Sequence, residues 1–419
     1  MKRVLMVAFH FPPYSGGSGI QRTLRFVQQL PAQGWQPLVL SAGAGAYPQT
    51  SVDLLAEIPG DTVVQRAFAL DASRQLALKG RYLGWTARPD RWMSWRWDAV
   101  RVGMKMIAHY KPDVIWSTYP IATAHQIGAE LQRRRGLPWV ADFRDPMARE
   151  GYPGNPATWQ SFKKIEETAF RRATRCVFTT PGAAQMYRDR YPHADQQIAV
   201  IENGYDEESF SGSPANDGHG KQKSLNAGRV TLLHSGIVYP SERDPTQLFQ
   251  ALAQLKKVKA GTCRLTIRFR APVHESLLLD LAQKHGVQDM VEVLPAIDYR
   301  GALLEMCQAD VLLLMQAANC DQQIPAKFYE YLRAGRPVLG LTSSSGDTAA
   351  AMRTAGLNRL ARLDSADDIA QALERLMTDI ETGSAMGPSG DAIRSASRAA
   401  RTREFSRLLQ SASKPNGPQ

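Results

Sequence analysis

Short apolar runs alternate with amphipathic stretches along most of the chain. The first run, from Val4 to Phe9, is continuous, and a helical pattern from Ile20 to Leu30 follows it. A run without polar interruptions is typical of a strand buried on both faces of a parallel sheet. A second alternating series starts at Val230 and continues to Met315. The pattern therefore predicts an α/β protein with two domains, each built around a parallel sheet.

The clearest local pattern is the stretch 324–340, which predicts a helix, a tight turn and a strand. Pro325 suits the first turn of a helix because its missing N–H has no partner there, and Gly335 suits the C-terminal cap. Pro337 prevents the helix from continuing, and the apolar residues from Val338 onward begin the next buried strand.

Two charged residues of this helix indicate chemistry. Lys327 and Glu330 are three positions apart, so both project from one helical face near the helix start, where the backbone favours an anion. A lysine there would meet the charge of a diphosphate, and a carboxylate would accept hydrogen bonds from the hydroxyls of a ribose. The alternative is an ordinary exposed ion pair on a surface helix.

At these residues the chain resembles the two-Rossmann (GT-B) glycosyltransferases, and within them glycosyltransferase family 4. In that family a helix carries a Glu that binds the ribose of a sugar nucleotide and a Lys that binds its diphosphate, and Glu330 and Lys327 match them. A second Glu of the family, which contacts the donor sugar, is replaced here by Gln322. The resemblance implies two Rossmann-like domains facing each other across a cleft.

Further matches to the family lie in both halves of the chain. The loop after the first strand contains Gly16 and Gly17 and is followed by Arg22, which the family uses against the donor diphosphate. A dinucleotide-binding dehydrogenase fits this loop poorly, because its third glycine would fall at position 22. In the second half, Gly236 and Arg243 match the diphosphate-binding turn. The segment with Leu294 and Ala296 matches the place where, in the family, the nucleotide base meets main chain. A plain loop is the alternative for the two glycines, and a solvated turn is the alternative for Arg243.

A charged cluster follows another predicted strand, Trp139 to Ala141. In open α/β sheets such residues face the ligand crevice, so Asp142 could orient or deprotonate an acceptor hydroxyl and Arg144 could pair with a phosphate or a carboxylated sugar. An ion pair that braces the loop is the alternative. The usual donor-contacting His of the family is absent, and His125, in the following helix, is included only as a weaker catalytic candidate.

Tryptophans and arginines are concentrated between positions 76 and 106. Trp and Arg mixed in this way suit an interface between water and lipid, which predicts that Trp92, Trp95 and Arg96 contact a membrane or a lipid-linked acceptor. Core packing and single-stranded nucleic acid binding are the alternative explanations.

Composition narrows the class of protein. The chain has 419 residues, 43% of them hydrophobic and 22% charged, which suits a globular protein of two or three domains. Its formal net charge of +11 favours anionic partners.

No stretch reaches the roughly 20 apolar residues of a membrane span, and the first apolar run is too short for a signal peptide. We therefore expect a cytoplasmic protein, associated with the inner face of the membrane. The cysteines show no metal-ligand spacing and are expected to be reduced, buried thiols; they are Cys176, Cys263, Cys307 and Cys320.

The polar composition of residues 206–228 predicts a linker between the two domains. We therefore expect an N-terminal acceptor-side domain over 1–205 and a C-terminal nucleotide-sugar domain over 229–390. The resemblance implies that a last helix, 391–410, returns to the first domain, and 411–419 is expected to be a disordered tail.

The resemblance implies a metal-independent, hexosyltransferase-type glycosyltransferase with no cofactor. It would move a sugar from a nucleoside-diphosphate sugar to a hydroxyl of a lipid-linked or polysaccharide acceptor, in cell-surface polysaccharide biosynthesis. A sugar-nucleotide 2-epimerase of the same fold stays open, as does, more remotely, a basic nucleic-acid-binding protein, although no nucleic acid partner is expected.

Overall fold

The computed structural model describes residues 1–16, 19–211, 225–258 and 264–414. The chain forms two compact units. Unit 1 consists of residues 1–202 and 399–419, and unit 2 consists of residues 203–398. Unit 2 is therefore a continuous segment, whereas unit 1 is made from both ends of the chain.

Unit 1 contains a parallel sheet with the strand order β3-β2-β1-β4-β5-β6-β7 among its described residues. The side chains of β1 from Val4 onward and of β4 are fully buried, as the apolar run predicts for strands covered on both faces. The strands are β1 (Lys2–Val7), β2 (Trp35–Ala42), β3 (Val63–Ala67), β4 (Val114–Thr118), β5 (Trp139–Arg144), β6 (Arg175–Phe178) and β7 (Ile198–Val200).

Helices cover both faces of this sheet. They are α1 (Gly19–Gln29), α2 (Ala72–Gln75), α3 (Trp95–Tyr110), α4 (Thr123–Arg135), α5 (Pro156–Arg172) and α6 (Pro181–Arg190), with α14 (Arg398–Ala412) added from the end of the chain. Asn155 and Thr180 cap α5 and α6 by accepting hydrogen bonds from backbone N–H groups. In α14, Phe405 is buried and stacks on Phe26 with ring centroids 4.4 Å apart. The last helix thus completes the core of unit 1.

Unit 2 repeats the arrangement, with the strand order β10-β9-β8-β11-β12-β13 in its described residues and all pairs parallel. The strands are β8 (Val230–Ser235), β9 (Leu265–Arg270), β10 (Val291–Leu294), β11 (Val311–Met315), β12 (Val338–Leu341) and β13 (Leu360–Ala361). The helices are α7 (Thr246–Val258), α8 (Glu275–His285), α9 (Tyr299–Gln308), α10 (Ala326–Ala334), α11 (Asp347–Thr354), α12 (Ala366–Glu381) and α13 (Gly390–Ser395).

Both sheets share a feature that locates ligands. The first strand of each unit lies between the second and the fourth, so the strand order reverses between β1 and β4 and between β8 and β11. In doubly wound sheets, ligands bind outside the carboxyl ends of the strands at such a switch point. Residues that follow these strands are therefore the first candidates for function in each unit.

The predicted helix, turn and strand at 324–340 is present as α10 and β12. Gly335 has φ 70°, and its N–H bonds to the carbonyl of Leu332, as expected for a left-handed C-terminal cap. Pro325 differs from the prediction in one detail. It is the residue before the first helical turn rather than part of that turn, since its ψ of 135° is not helical.

The prediction of one continuous final helix over 391–410 is wrong. The structure has two helices, α13 and α14, because the backbone at Ser397 pairs with Tyr205 as an isolated parallel bridge. The N–H of Tyr205 donates to the carbonyl of Ala396, and the N–H of Arg398 donates to the carbonyl of Tyr205. A Cβ at Gly204 would lie 2.6 Å from the Ala396 oxygen, so this crossing requires glycine.

Other expectations concern the whole chain. No helix in the described ranges has both the length and the apolar character that crossing a membrane demands. Three of the four cysteines are buried, and Cys263 lies outside the described residues. Most of the predicted linker (residues 212–224) and positions 415–419 of the predicted tail also lie outside them, so both stay predictions.

Candidate functional site

The site in unit 2 is built on a buried histidine of β8. His234 is fully buried, and its Nδ1 lies 3.0 Å from the carbonyl oxygen of Leu313 on β11, across the switch point. Because a carbonyl can only accept, Nδ1 carries the proton and Nε2 is left as an acceptor. Burial, together with the nearby charge of Lys327, lowers the pKa of His234 well below its ordinary value, so the ring is neutral.

Lys327, in the first turn of α10, uses that acceptor. Its Nζ lies 3.1 Å from Nε2 of His234 and donates to it. Burial, and after it the charge of Arg243, lower the pKa of Lys327 to about 7, while Glu330 acts in the opposite direction. An ammonium group in this position is poised between its charged and neutral forms at neutral pH.

Glu330 lies one turn further along α10 and has a different partner. The hydroxyl of Tyr299, at the start of α9, donates to its Oε1 at 2.8 Å. Burial raises the pKa of the Glu330 carboxyl, and the Tyr299 hydrogen bond opposes that rise. In the described part of the chain Lys327 and Glu330 form no ion pair with each other, so the alternative of an ordinary i,i+3 surface pair does not describe this helix.

Arg243 and Gly236 complete the cationic end of the site. Gly236 has φ 103°, and a Cβ there would lie 3.4 Å from Nζ of Lys327, so the turn after β8 brings its backbone close to the lysine. Arg243 donates to the carbonyl of Ile237 at 2.9 Å and lies over the ring of Tyr239. Among the described residues neither Arg243 nor Lys327 forms an ion pair with a carboxylate. Two cations without a protein anion define a place for an anionic ligand.

Three residues that sequence reasoning missed hold this arrangement in place: His234, Tyr299 and Tyr331. The Tyr331 hydroxyl accepts from the N–H of Ser235 at 3.1 Å and lies 3.4 Å from the Leu313 carbonyl, which fixes the turn after β8. A polar His in an otherwise apolar strand was the available signal for His234. The two tyrosines gave no signal, since aromatic residues in helices are ordinary core residues.

The remaining predicted donor residues of unit 2 lie on loops. Leu294 is the last residue of β10, and its carbonyl accepts from the N–H of Ala271 at 2.9 Å. Ala296 is exposed between β10 and α9, and Gln322 is exposed between β11 and α10. Their contacts with a base or a sugar stay predictions.

In unit 1, Arg22 and Asp142 form one buried ion pair. Nε of Arg22 lies 3.0 Å from Oδ2 of Asp142, and the two residues are 4% and 0% exposed. Arg22 also donates to the carbonyls of Ile201 and Glu202, each at 3.1 Å. The geometry matches the bracing ion pair considered as an alternative, with Arg22 as the partner of Asp142. Both side chains are thereby engaged with the protein itself.

The other predicted residues of unit 1 are separated by the structure. Gly16 has φ 99° and lies in the loop before α1, whereas Gly17 lies outside the described residues. His125 is fully buried, its Nδ1 is 2.8 Å from the Ser117 hydroxyl, and burial lowers its pKa to about 3. His125 is thus a histidine packed in the core of unit 1. Arg144 lies beside the start of α1.

The predicted membrane contact through Trp92 and Trp95 is wrong. The two rings are 8% and 0% exposed and belong to the main hydrophobic core of unit 1, where Trp92 packs on Phe9 at 4.6 Å. Arg96 is exposed on α3. The mixing of Trp with Arg along the chain does not distinguish a buried tryptophan from an interfacial one, which is why the prediction failed. In the described residues no cluster of three or more acidic, His or Cys side chains could hold a metal ion.

Comparison with known proteins places this geometry in a class. Residues 17–204 match the model of the glycosyl transferase 4-like domain. The two parallel sheets, each with helices on both sides, are the GT-B fold. The resemblance to GT-B glycosyltransferases of the family 4 type, inferred from the sequence, is therefore confirmed.

Individual relatives share the fold over nearly the whole chain. HepE of Anabaena in complex with UDP superposes with a TM-score of 0.70 at 15% identity, covering 98% of this chain and 100% of that one. Its complex with UDP-glucose gives a TM-score of 0.65 at 14% identity with the same coverage. A glycosyltransferase of Rickettsia africae gives 0.69 at 13% identity, covering 99% and 100%.

A curated relative matches at the level of sequence. D-inositol 3-phosphate glycosyltransferase of Nocardiopsis dassonvillei is 27% identical over 269 residues. That alignment covers 61% of this chain and 60% of the relative, so the chain matches less than two thirds of that protein's length.

Proposed function

We propose that this protein is a glycosyltransferase that binds a nucleoside-diphosphate sugar in unit 2 and transfers the sugar to a hydroxyl group of an acceptor. The single observation that carries the proposal is the pair of cations, Lys327 and Arg243, beside the carboxylate of Glu330 at the switch point of the second sheet. The printed ligands of the HepE complexes, UDP and UDP-glucose, support a nucleotide sugar as the co-substrate.

Each group of the site has a part in such a reaction. When the acceptor hydroxyl displaces the nucleoside diphosphate, negative charge develops on the departing phosphate oxygen. Lys327 and Arg243 stabilise that charge, aided by the positive end of α10. Glu330, held by Tyr299, accepts hydrogen bonds from the ribose hydroxyls and fixes the nucleotide. We propose that these cations do the work without a metal ion, which activity in excess EDTA would test.

We infer a positioning role for Asp142 in unit 1. Its carboxylate is shared with Arg22, and through that pair it ties β5 to α1 and to the end of β7. Both carboxylate oxygens of Asp142 accept hydrogen bonds from Arg22, at 3.0 and 3.3 Å. Asp142 therefore orders the acceptor side of the protein, rather than removing the proton of the acceptor hydroxyl.

For the acceptor we propose a lipid-linked or polysaccharide substrate at the inner face of a membrane. An exposed apolar segment in unit 1 supports this: Leu78, Leu83 and Trp85 are 80%, 64% and 64% exposed. Exposed cations flank them; they are Lys79, Arg81 and Arg88. Apolar side chains between cations suit the surface of an anionic bilayer.

Vesicle sedimentation tests this segment. The full chain should sediment with vesicles containing anionic lipid, and the Leu83→Ser/Trp85→Ser double variant should not. Trp97→Ser is the matched control, because Trp97 is also 64% exposed but lies on α3. Equal sedimentation of all three proteins would rule out this segment as the membrane contact.

Ligand binding and product analysis test the function itself. Calorimetric titration with UDP-glucose and with other nucleotide sugars should identify one donor. Three single variants should each weaken the binding of that donor while leaving the melting temperature near the wild-type value: Lys327→Ala, Arg243→Ala and Glu330→Ala. Release of the nucleoside diphosphate on adding an acceptor extract identifies a transferase. Conversion of the sugar nucleotide into its 2-epimer would identify the epimerase instead, and normal binding in all three variants would refute the site.

A further inference from the structure

Among the described residues, a buried arginine of unit 1 forms no ion pair with a carboxylate. Arg144, the last residue of β5, is 9% exposed and has φ 61°, in the left-handed region that residues other than glycine rarely occupy. Hydrogen bonds hold it there, since its carbonyl accepts from the N–H and the hydroxyl of Thr179 at 3.0 and 2.8 Å. A strained residue that the surrounding structure maintains is commonly a functional one.

The guanidinium of Arg144 has unused hydrogen-bonding capacity. Nη1 lies 3.4 Å from the carbonyl of Tyr119, which is a long contact, and Nε is buried without a partner in the described structure. Asp142 is already paired with Arg22, and Asp145, the next residue along the chain, is exposed and forms no ion pair with it. Burying a charge is unfavourable unless an opposite charge accompanies it. An anion from outside the protein would supply that charge.

A second group points at the same place. An added Cβ at Gly19, the first residue of the 11-residue helix α1, would lie 2.5 Å from Nη1 of Arg144 and 2.8 Å from Nδ1 of His10. Nδ1 of His10 is buried without a partner among the described residues, and the ring is held by stacking on Tyr14 with centroids 4.5 Å apart. The guanidinium, the imidazole and the positive end of a helix therefore converge, and the absence of a side chain at Gly19 leaves room for both nitrogens.

We propose that Arg144, His10 and the N-terminus of α1 bind an oxyanion group, a phosphate or a carboxylate, of the acceptor substrate. A guanidinium can donate two parallel hydrogen bonds to such a group, and the helix end adds favourable potential. Assigning the anion to the acceptor rests on the proposed transferase function, in which the donor diphosphate has its own cations, Lys327 and Arg243. The existence of the anion site does not depend on it.

Calorimetric titration of the full chain with inorganic phosphate and, separately, with acetate tests the site. We expect at least one of the two anions to bind, and Arg144→Gln to weaken it by about tenfold or more because the charge-assisted hydrogen bonds are lost. The control Arg135→Gln removes the same charge from an exposed position of unit 1 and should bind as the wild type does. Preference for phosphate or for acetate identifies the group on the acceptor.

Two further variants keep the result decisive. Gly19→Ala places a methyl group against both nitrogens and should reduce anion binding even if Arg144→Gln is poorly folded, which its thermal melting would reveal. Lys327→Ala should leave anion binding at this site unchanged while weakening the binding of the nucleotide sugar. Failure of the donor site and failure of the anion site are therefore distinguishable. The proposal would be overturned by anion binding that survives when Arg144→Gln or Gly19→Ala is combined with Lys327→Ala, that depends on Lys327 alone, or that is absent from the wild type.

Discussion

Donor binding to unit 2 should take up a proton from solvent at neutral pH. The pKa of Lys327 is lowered to about 7 in the unliganded protein by burial and by the charge of Arg243. A bound diphosphate brings negative charge to the ammonium group and should return its pKa toward the ordinary value of about 10.4. We do not expect His234 to contribute, because burial holds its pKa well below the ordinary value and its ring is neutral.

The size of the effect follows from that pKa. With a pKa of about 7, the lysine is about 90% protonated at pH 6, about 50% at pH 7 and about 10% at pH 8. Binding at pH 7 should therefore take up about half a proton per ligand, and the dissociation constant should rise by about tenfold between pH 6 and pH 8, or about 1.4 kcal/mol.

Calorimetry in two buffers of different ionisation enthalpy, such as PIPES and Tris, measures this uptake directly. The ligand should be a nucleotide sugar, since both of its phosphates are diesterified and do not titrate between pH 6 and 8, whereas free UDP does. Lys327→Arg is the matched control because an arginine stays charged, so it should bind without proton uptake. Tight binding by the wild type with no proton uptake, or equal uptake by Lys327→Arg, would show that the ammonium group is not where the diphosphate binds.

The remaining predictions concern the same residues and the ion pair of unit 1. Between about pH 7 and 10, Lys327 holds fewer protons in the folded protein than in the unfolded chain, because its pKa is lowered on folding. The free energy of unfolding of the unliganded protein should therefore rise with pH in that window. Urea titrations at pH 7 and 9 should show this rise in the wild type but not in Lys327→Met. Glu330→Ala should bind 2′-deoxy and ribose forms of the donor nucleotide equally, whereas the wild type should prefer ribose by about tenfold; a preference retained in the variant would place the ribose elsewhere. Asp142→Asn should destabilise the protein by about 3–5 kcal/mol in urea unfolding, because it leaves the buried Arg22 without its carboxylate. The Arg22→Met/Asp142→Leu double variant should recover much of that loss. Additive losses would mean that the two residues do not act as a pair.

The sequence predicted the parts of this protein that local patterns encode. Continuous apolar runs identify β1 and β8, because strands covered on both faces need no alternation of polar and apolar residues. Gly335 marks the end of α10, because the left-handed backbone conformation of the C-terminal cap favours glycine. The proximity of Lys327 and Glu330 on one face follows from helical spacing alone.

What the sequence could not give depends on contacts between distant segments. The Arg22–Asp142 pair joins residues 120 positions apart, and the contact of Lys327 with His234 spans 93. The break between α13 and α14 comes from pairing with Tyr205, far upstream. Trp92 and Trp95 show the same limit, since the mixing of Trp and Arg along the chain does not say whether solvent or another element covers the rings.

The assignment of α14 to unit 1 has a consequence for biosynthesis. All of unit 2 leaves the ribosome before Phe405 of α14 can reach Phe26 and Trp116. These two apolar side chains therefore stay uncovered by α14 while nearly two hundred intervening residues are translated. Nascent chains halted before α14 should therefore recruit chaperones through unit 1 even when unit 2 is already native. Loss of α14 would then be far more harmful than the length of this one helix suggests.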